Sequence, residues 1–171
     1  ACIFDEEVIA RDYRWGTDTF KAPGVRLKVL TPFFSIPDPL LADQYKLKFA
    51  SCPATFLSLV IENDSNEEWC GFFALKNDKY WSPLSSRSEG RLRGAVSRDS
   101  MGFATDAEVE EFCDFSVDRA LDAQHTTPIF LLGPVAGVRF KVPAGESQEI
   151  RITLAYYLTG VATFNQTASY W

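Results

Sequence analysis

A strict alternation of apolar and polar residues near the end of the chain constrains the fold most strongly. Residues Val138–Val142 alternate between apolar and basic side chains, and residues Ile150–Leu154 repeat the alternation. A two-residue period places one set of side chains on a core and the other set in water, as in an antiparallel β-strand. Pro143–Glu146, between the two runs, has the residues of a tight turn. The sequence therefore predicts a β-hairpin here, with its apolar faces turned inward.

Earlier segments have the same character. Val25–Val29 alternates in the same way, and Ala54–Asn63 is dense in apolar and β-branched residues, as expected for a strand in the middle of a sheet. Asn63–Asn66 then supplies turn residues. We expect Trp69–Lys76 to return as the antiparallel partner of Ala54–Asn63, so that the two form part of a β-meander.

The middle of the chain predicts two long connections and two short strands. The prolines of Ser35–Pro39 exclude a helix and a central strand, which indicates a loop. Asn77–Glu89 is rich in polar residues around Tyr80 and Trp81, and we interpret it as a long loop. Leu92–Ser97 and Met101–Thr105 are predicted as short strands.

One short helix is predicted over Asp106–Cys113, because Thr105 and Glu108 have the spacing of a capping box and apolar residues follow at helical intervals. The remaining pattern gives about eight to ten short strands with mostly tight connections. These features predict an all-β fold, an antiparallel two-sheet β-sandwich with one short helix, in a single domain over residues 1–171.

Composition excludes several classes of protein. With 46% hydrophobic residues the chain can fill a core and is not of the disordered type. It has 23 acidic residues against 17 basic ones, a net charge of −6, and no basic block to neutralise phosphates. No apolar run reaches the roughly 20 residues of a membrane span. We therefore expect neither a nucleic-acid partner nor a membrane partner.

Metal and cofactor chemistry has little support in the sequence. Cys2, Cys52, Cys70 and Cys113 lie far apart, and His125 is the single histidine, so no set of zinc ligands is evident. We expect no metal and no cofactor, and we interpret the cysteines as buried free thiols. Because free thiols are typical of reducing compartments and no signal-peptide pattern is visible, a cytoplasmic location is expected.

No catalytic residue is predicted within the chain. Nucleophile-elbow and phosphate-loop motifs are absent from the sequence, and His125 lies in a polar stretch that indicates an exposed loop. Glycoside hydrolysis would need two carboxyl groups held across one bond. The acidic clusters over Glu62–Glu68 and Asp106–Asp114 are more typical of solvated charge at a turn and at a helix start.

Aromatic residues supply the weak candidates for binding. Trp15, Trp69, Tyr80 and Trp81 could stack against sugar rings, although large aromatics are more often core or interface residues. We interpret Trp69, at a strand start, as structural. Tyr80 and Trp81 are the candidates for contact with a substrate or a neighbouring domain.

The end of the chain also bears aromatic residues. Tyr170 and Trp171 are its last two residues, whereas natural termini are usually polar. We expect them at an interface with a further domain of a longer polypeptide.

Several short segments, in order along nearly the whole chain, match a known family. They are Thr17–Ala22, Pro37–Pro39, Ile61 with Asn63, Phe72–Phe73, Gly90–Arg91, Gly94, Val96–Ser97 with Asp99, Pro143–Glu146, Gly160–Val161 and Ala168–Trp171. In these segments the sequence resembles the N-terminal region of glycoside hydrolase family 52, whose known members are β-xylosidases. It departs from the family pattern over Lys76–Glu89 and Asp114–Thr127.

The resemblance implies a β-sandwich that precedes an (α/α)6 barrel. In the family the nucleophilic Glu and the acid/base Asp belong to that barrel, so no catalytic residue transfers to this chain. The implied partners are a downstream catalytic domain of the same polypeptide and a xylo-oligosaccharide substrate. A homodimer is a separate expectation that the resemblance does not imply. Two alternatives stay open: an independent carbohydrate-binding module that uses Tyr80 and Trp81, and a structural sandwich with no link to sugars.

Overall fold

A computed structural model describes residues 4–33, 35–78, 82–97, 101–121 and 132–156. Its strands are β1 Ala10–Arg14, β2 Thr17–Ala22, β3 Val25–Leu30, β4 Ala54–Glu62, β5 Trp69–Lys76, β6 Leu84–Glu89, β7 Leu92–Ser97, β8 Met101–Thr105, β9 Glu110–Asp114, β10 Leu132–Gly133, β11 Val135–Val142 and β12 Ser147–Tyr156. Its helices are α1 Gln44–Ala50, α2 Val117–Leu121 and a 3-10 turn at Glu6–Val8.

The strands form two antiparallel sheets that pack as a sandwich. Nine strands lie in the order β1-β2-β3-β4-β12-β8-β7-β6-β10, and three lie in the order β5-β11-β9. The core lies between them and takes side chains from both: Leu57, Phe103, Ile150 and Ile152 from the large sheet, Val138, Phe140 and Val142 from the small one. The predicted all-β sandwich is confirmed.

The alternating segments become strands, as predicted. In β11 and β12 the apolar positions of the two-residue period are buried, apart from the half-buried Leu154, while Arg151 and Lys141 between them are exposed. β3, β7 and β8 coincide with predicted strands, and β4 lies between β3 and β12 in the interior of the large sheet. Ser35–Pro39 contains neither helix nor strand. Periodicity thus identified β11 and β12, which supply half of the buried hydrophobic residues of the described core.

Two predicted pairings are wrong. β12 pairs with β4 and β8, and β11 pairs with β5 and β9, so the turn Pro143–Glu146 links the two sheets instead of closing a hairpin. β4 and β5 likewise belong to different sheets, and the predicted meander does not form. Both edges of β4 are filled, by β3 and by β12, so β5 has no edge of β4 to pair with.

Asn63 holds these two inter-sheet connections together. Its side chain is 1% exposed, and its Nδ2 donates to the carbonyls of Glu67, Val142 and Pro143 at 2.8, 2.9 and 3.0 Å. Its backbone N–H donates to Glu146 O at 2.9 Å, and its own carbonyl accepts from Gly145 N at 2.8 Å. Buried backbone carbonyls need such partners. One side chain therefore fixes the β4–β5 connection against the β11–β12 connection.

The predicted helix over Asp106–Cys113 is wrong. Thr105 Oγ1 accepts from Ala107 N at 3.2 Å, which makes a local turn, and the chain then enters β9. Phe112 and Cys113 are buried in β9, which pairs with β11. Strand pairing across the sandwich has overridden a weak helical spacing.

The long loop predicted over Asn77–Glu89 is partly wrong, because Leu84–Glu89 forms β6 and pairs with β7. Polar Ser86 and Ser88 face the small sheet, where they bond Cys113 Sγ and the Glu111 carboxylate. Helix α1, which the sequence did not predict, begins after the N-cap Asp43, whose side chain accepts from Lys46 N. Within the described ranges, no helix has the length and apolar character needed to cross a membrane.

Candidate functional site

The acidic cluster around β9 connects the two sheets. Glu111 projects from the small sheet, and its carboxylate accepts from Ser88 Oγ at 2.8 and 3.0 Å and from Gly94 N at 3.0 Å. Ser88 lies on β6 and Gly94 on β7, both in the large sheet. All of these contacts are to the protein itself. The carboxylate of Glu111 therefore stabilises the sandwich.

Two other members of the same cluster pair with arginines. Asp106 Oδ2 lies 2.8 Å from Arg151 Nη2 on β12. Asp114 Oδ1 lies 3.4 Å from Arg119 Nε and accepts from the backbone N–H of Phe115 at 2.6 Å. The sequence predicted solvated charge at a helix start; instead the segment is a strand, and Glu111, Asp106 and Asp114 bond other groups of the protein.

The second acidic cluster, Glu62–Glu68, lies on the β4–β5 connection. Glu68 Oε1 lies 2.9 Å from Lys141 Nζ on β11, and this hydrogen bond raises the pKa of Lys141. Asn63 organises the backbone of the same connection. The cluster sits at the corner of the sandwich where the two inter-sheet connections meet.

The thiols and metal ligands of the described ranges are dispersed. Cys52, Cys70 and Cys113 are free, as predicted, but only Cys113 is buried, so the expectation that the cysteines are buried is wrong for Cys52 and Cys70. Cys70 is exposed because it lies on the outward-facing side of β5, opposite the core. In this part of the chain no three His, Cys, Asp or Glu side chains are grouped closely enough to hold a metal ion. Cys2 and His125 lie outside the described residues.

The predicted binding residues are not placed. Tyr80, Trp81, Tyr170 and Trp171 lie outside the described residues, so their roles stay predictions. Trp69 begins β5, and its ring packs against the β2–β3 turn at Gly24. A Cβ added to Gly24 would lie only 3.0 and 3.1 Å from two carbons of the Trp69 ring. This packing agrees with the interpretation of Trp69 as structural.

Of the two tryptophans in this set that the structure describes, Trp15 is far more exposed than Trp69. It follows β1 directly, its side chain is 86% exposed, and its ring centroid lies 5.0 Å from that of Phe33. A tilted pair of this kind presents an apolar surface to solvent.

An apolar groove on the outer face of the large sheet was not predicted. Its volume is about 250 Å³. Small residues form its floor: Gly102, Ala104 and Ala155. Larger side chains form its rim: Leu92, Val96, Arg87 and Glu89. The register places Gly102 opposite both Val96 and Ala155, so the neighbouring strands β7, β8 and β12 together form the groove. Because β12 is distant in sequence from β7 and β8, no local motif marks the groove.

An ion pair between Arg11 and Asp18 joins β1 and β2. Arg11 donates to both carboxylate oxygens of Asp18, at 2.9 and 2.6 Å, and this hydrogen-bonded pair lowers the pKa of Asp18 and raises that of Arg11. The guanidinium carbon also lies 5.1 Å from the ring centroid of Phe20. Arg11 is exposed and Asp18 is half-buried, so solvent screens the pair and its contribution to stability is small.

Comparison with known proteins supplies the family. The sequence matches glycosyl hydrolase family 52 over residues 1–171. It is 30% identical over 179 aligned positions to a protein named beta-xylosidase from Geobacillus stearothermophilus, covering 98% of this chain and 24% of that protein. A second beta-xylosidase of the same organism is 24% identical over 163 positions, covering 90% of this chain and 26% of its own length.

The chain thus spans about a quarter of the length of the curated relatives that it matches. The match extends through the strands of both sheets and both inter-sheet connections. This chain belongs to glycosyl hydrolase family 52.

Proposed function

We propose that this chain is the N-terminal β-sandwich region of a retaining β-xylosidase-type glycoside hydrolase and supports a downstream (α/α)6 barrel that carries the catalytic carboxyl groups. The substrate of the whole polypeptide is then a xylo-oligosaccharide, and the 171-residue segment has no hydrolytic activity of its own. A cytoplasmic location and a homodimer belong to the same proposal.

One observation carries the proposal: the family match covers the whole chain, while the named beta-xylosidases are about four times as long. The contacts of the acidic clusters support it further. Retaining hydrolysis needs two carboxyl groups about 5 Å apart on either side of the scissile bond. Here the carboxylates bond side chains of the sandwich itself: Glu111 bonds a serine, Asp106 an arginine and Glu68 a lysine.

The outer groove supports a role in domain contact. Leu92 and Val96 on its rim and Phe56 nearby on the same sheet are exposed apolar side chains. Apolar surface of this kind on a soluble domain is typical of an interface. In the proposal a neighbouring part of the polypeptide covers it.

The experiment separates support from catalysis within the full polypeptide encoded by the gene. Glu111→Ala removes three acceptor contacts, so we expect a loss of about 1–3 kcal/mol in the free energy of unfolding. Turnover of an aryl β-xyloside at a temperature where the variant is folded should stay within about twofold of the parent, because a catalytic carboxylate would cost orders of magnitude. Thermal unfolding and steady-state kinetics measure the two effects.

Glu108→Ala is the matched control, since Glu108 is an exposed member of the same acidic cluster. It should change neither stability nor turnover. Loss of turnover in Glu111→Ala with unchanged stability would place the chemistry in this chain and overturn the proposal.

A further inference from the structure

One long side of the sandwich is closed. On the β9 side, Glu111 bonds Ser88 of β6 and Gly94 of β7, so hydrogen bonds join the small sheet to the large one. The chain itself also crosses there, because β10 pairs with β6 in the large sheet and is followed directly by β11 in the small sheet. Within the described residues, this side is therefore the one where the two sheets are joined.

The other side ends in β5, which pairs only with β11 among the described strands. Asn77 N donates to Pro134 O at 2.7 Å, just beyond the last pair of the ladder. Because hydrogen-bonding directions alternate along a strand, the odd-numbered residues of β5 face β11. The N–H and C=O groups of the even-numbered residues point to the open side: Cys70, Phe72, Ala74 and Lys76.

This edge lacks the features that protect an exposed strand. Natural edge strands are usually short, or they carry charges, prolines or bulges that prevent further pairing. Residues 70–75 of β5 are Cys-Gly-Phe-Phe-Ala-Leu, with no charge and no proline. The first charged residue is Lys76, at the end of the strand, where it pairs with Asp78 at 2.8 Å. An unprotected apolar edge of this length is a template for an additional strand.

The large sheet extends beyond β5 and would form the floor for that strand. Trp69 contacts the β2–β3 turn at Gly24, and the Phe73 ring lies 5.2 Å from Phe103 on β8, so β5 crosses the large sheet obliquely. Tyr13 of β1 pairs with Asp18 of β2, which pairs with Val29 of β3, and Val29 pairs with the core residue Leu57 of β4. Residues aligned in this way share one face of the sheet, so Tyr13 lies on the core-facing side. Tyr13 is nevertheless 76% exposed. Within the described residues, no strand of the small sheet covers this part of the large sheet.

We propose that the open edge of β5 receives a further strand from the part of the polypeptide outside these 171 residues, extending the small sheet over β1 and β2. The inference rests on the proposed function, in which the chain is one region of a longer glycosidase. The named relatives supply the length, since this chain covers only 24% and 26% of them.

The same geometry disfavours a second copy of the chain. Antiparallel pairing of two β5 strands about a twofold axis would bring both nine-stranded sheets into one layer. The β1–β3 strands of the two copies would then overlap in space. A single extended segment fits beside β5 without this conflict, because neighbouring strands need only about 4.8 Å.

The test is hydrogen exchange at single-residue resolution on the full polypeptide encoded by the gene. If a strand is added, the amides of Phe72 and Ala74 exchange as slowly as those of Gly71 and Phe73, within about tenfold. If the edge is open, slow and fast amides alternate along β5, with the even-numbered residues at least about 100-fold faster. The alternating pattern would overturn the inference.

A pair of variants at Cys70 sharpens the test. Cys70→Pro removes one edge N–H and should accelerate exchange at Phe72 and Ala74 by about tenfold, the value of one hydrogen bond. Cys70→Ser keeps the N–H and should leave exchange unchanged. Equal exchange in a folded Cys70→Pro variant would overturn the inference; should that variant not fold, the exchange pattern of the parent protein decides alone.

Two further readouts identify the source of any protection. Hydrolysis of an aryl β-xyloside by the same preparation tests the proposed function separately. An active enzyme with an open β5 edge overturns only the inference. An inactive enzyme with a protected β5 edge overturns only the proposed function. Protection that disappears on dilution, together with a dimer-to-monomer change in ultracentrifugation, would assign the edge to a second copy and overturn the inference.

Discussion

Two kinds of chain reversal in this molecule have similar sequences and different consequences. The β2–β3 hairpin turns at Gly24 and keeps its strands paired in one sheet, whereas the β11–β12 connection turns at Gly145 and sends its strands to opposite sheets. Both glycines have left-handed φ angles, +70° and +72°. The turn chemistry is therefore shared, and it determines that the chain reverses but not which strands pair afterwards.

The difference arises from contacts between residues distant in sequence. β12 pairs along its length with β4, and the Ser58 hydroxyl donates to the Glu149 carboxylate, 91 residues away. Asn63 then bonds Val142 and Pro143 across the corner. Local patterns contain no information on such partners, since pairing register depends on which faces are buried together.

Removing the Asn63 side chain should give the largest effect. Asn63→Ala leaves three backbone carbonyls without their donor at a buried corner, and we expect a loss of about 2–4 kcal/mol in the free energy of unfolding. Asn66→Ala is the control, at an exposed position of the same connection, and should cost less than about 0.5 kcal/mol. Urea unfolding of both variants measures the difference. Equal stabilities would show that the corner does not depend on Asn63.

The two turn glycines should differ by a smaller amount. An L-residue in the left-handed region costs about 1–2 kcal/mol, and Gly145→Ala should cost only this, because nothing lies within 4 Å of its Cβ position. Gly24→Ala should cost about 1 kcal/mol more, since its Cβ would lie 2.9 Å from Glu62 O and 3.0 Å from the Trp69 ring. Thermal unfolding compares the variants directly. A larger loss for Gly145→Ala would contradict the packing of Trp69 on the hairpin.

Much of the fold was predictable because half-buried strands have a two-residue period. β3, β11 and β12 follow that rule. β6 was missed because its inward positions include Ser86 and Ser88, whose polar groups are satisfied by Cys113 and Glu111 on the facing sheet. β9 was predicted as a helix because adjacent apolar residues do not fit a two-residue period; Phe112 and Cys113 are in fact buried on opposite faces of the small sheet.

The site was less predictable than the fold. The acidic clusters were predicted as solvated charge, and the sequence did not show that Glu111, Asp106 and Glu68 bond partners that are distant along the chain. The outer groove was missed because its floor combines single small residues such as Gly102 and Ala155 from separate strands. The candidates Tyr80 and Trp81 lie outside the described residues and stay predictions.

The account holds that this sandwich supports a catalytic centre located elsewhere in the polypeptide. Its most direct test is covalent trapping of the full enzyme with a 2-deoxy-2-fluoro-β-xyloside, which leaves the sugar attached to the nucleophile of a retaining glycosidase. Peptide mapping by mass spectrometry then locates the modified carboxylate. The account predicts a modified Glu outside residues 1–171, and a modified carboxylate within them, at Glu111 or any other position, would contradict it.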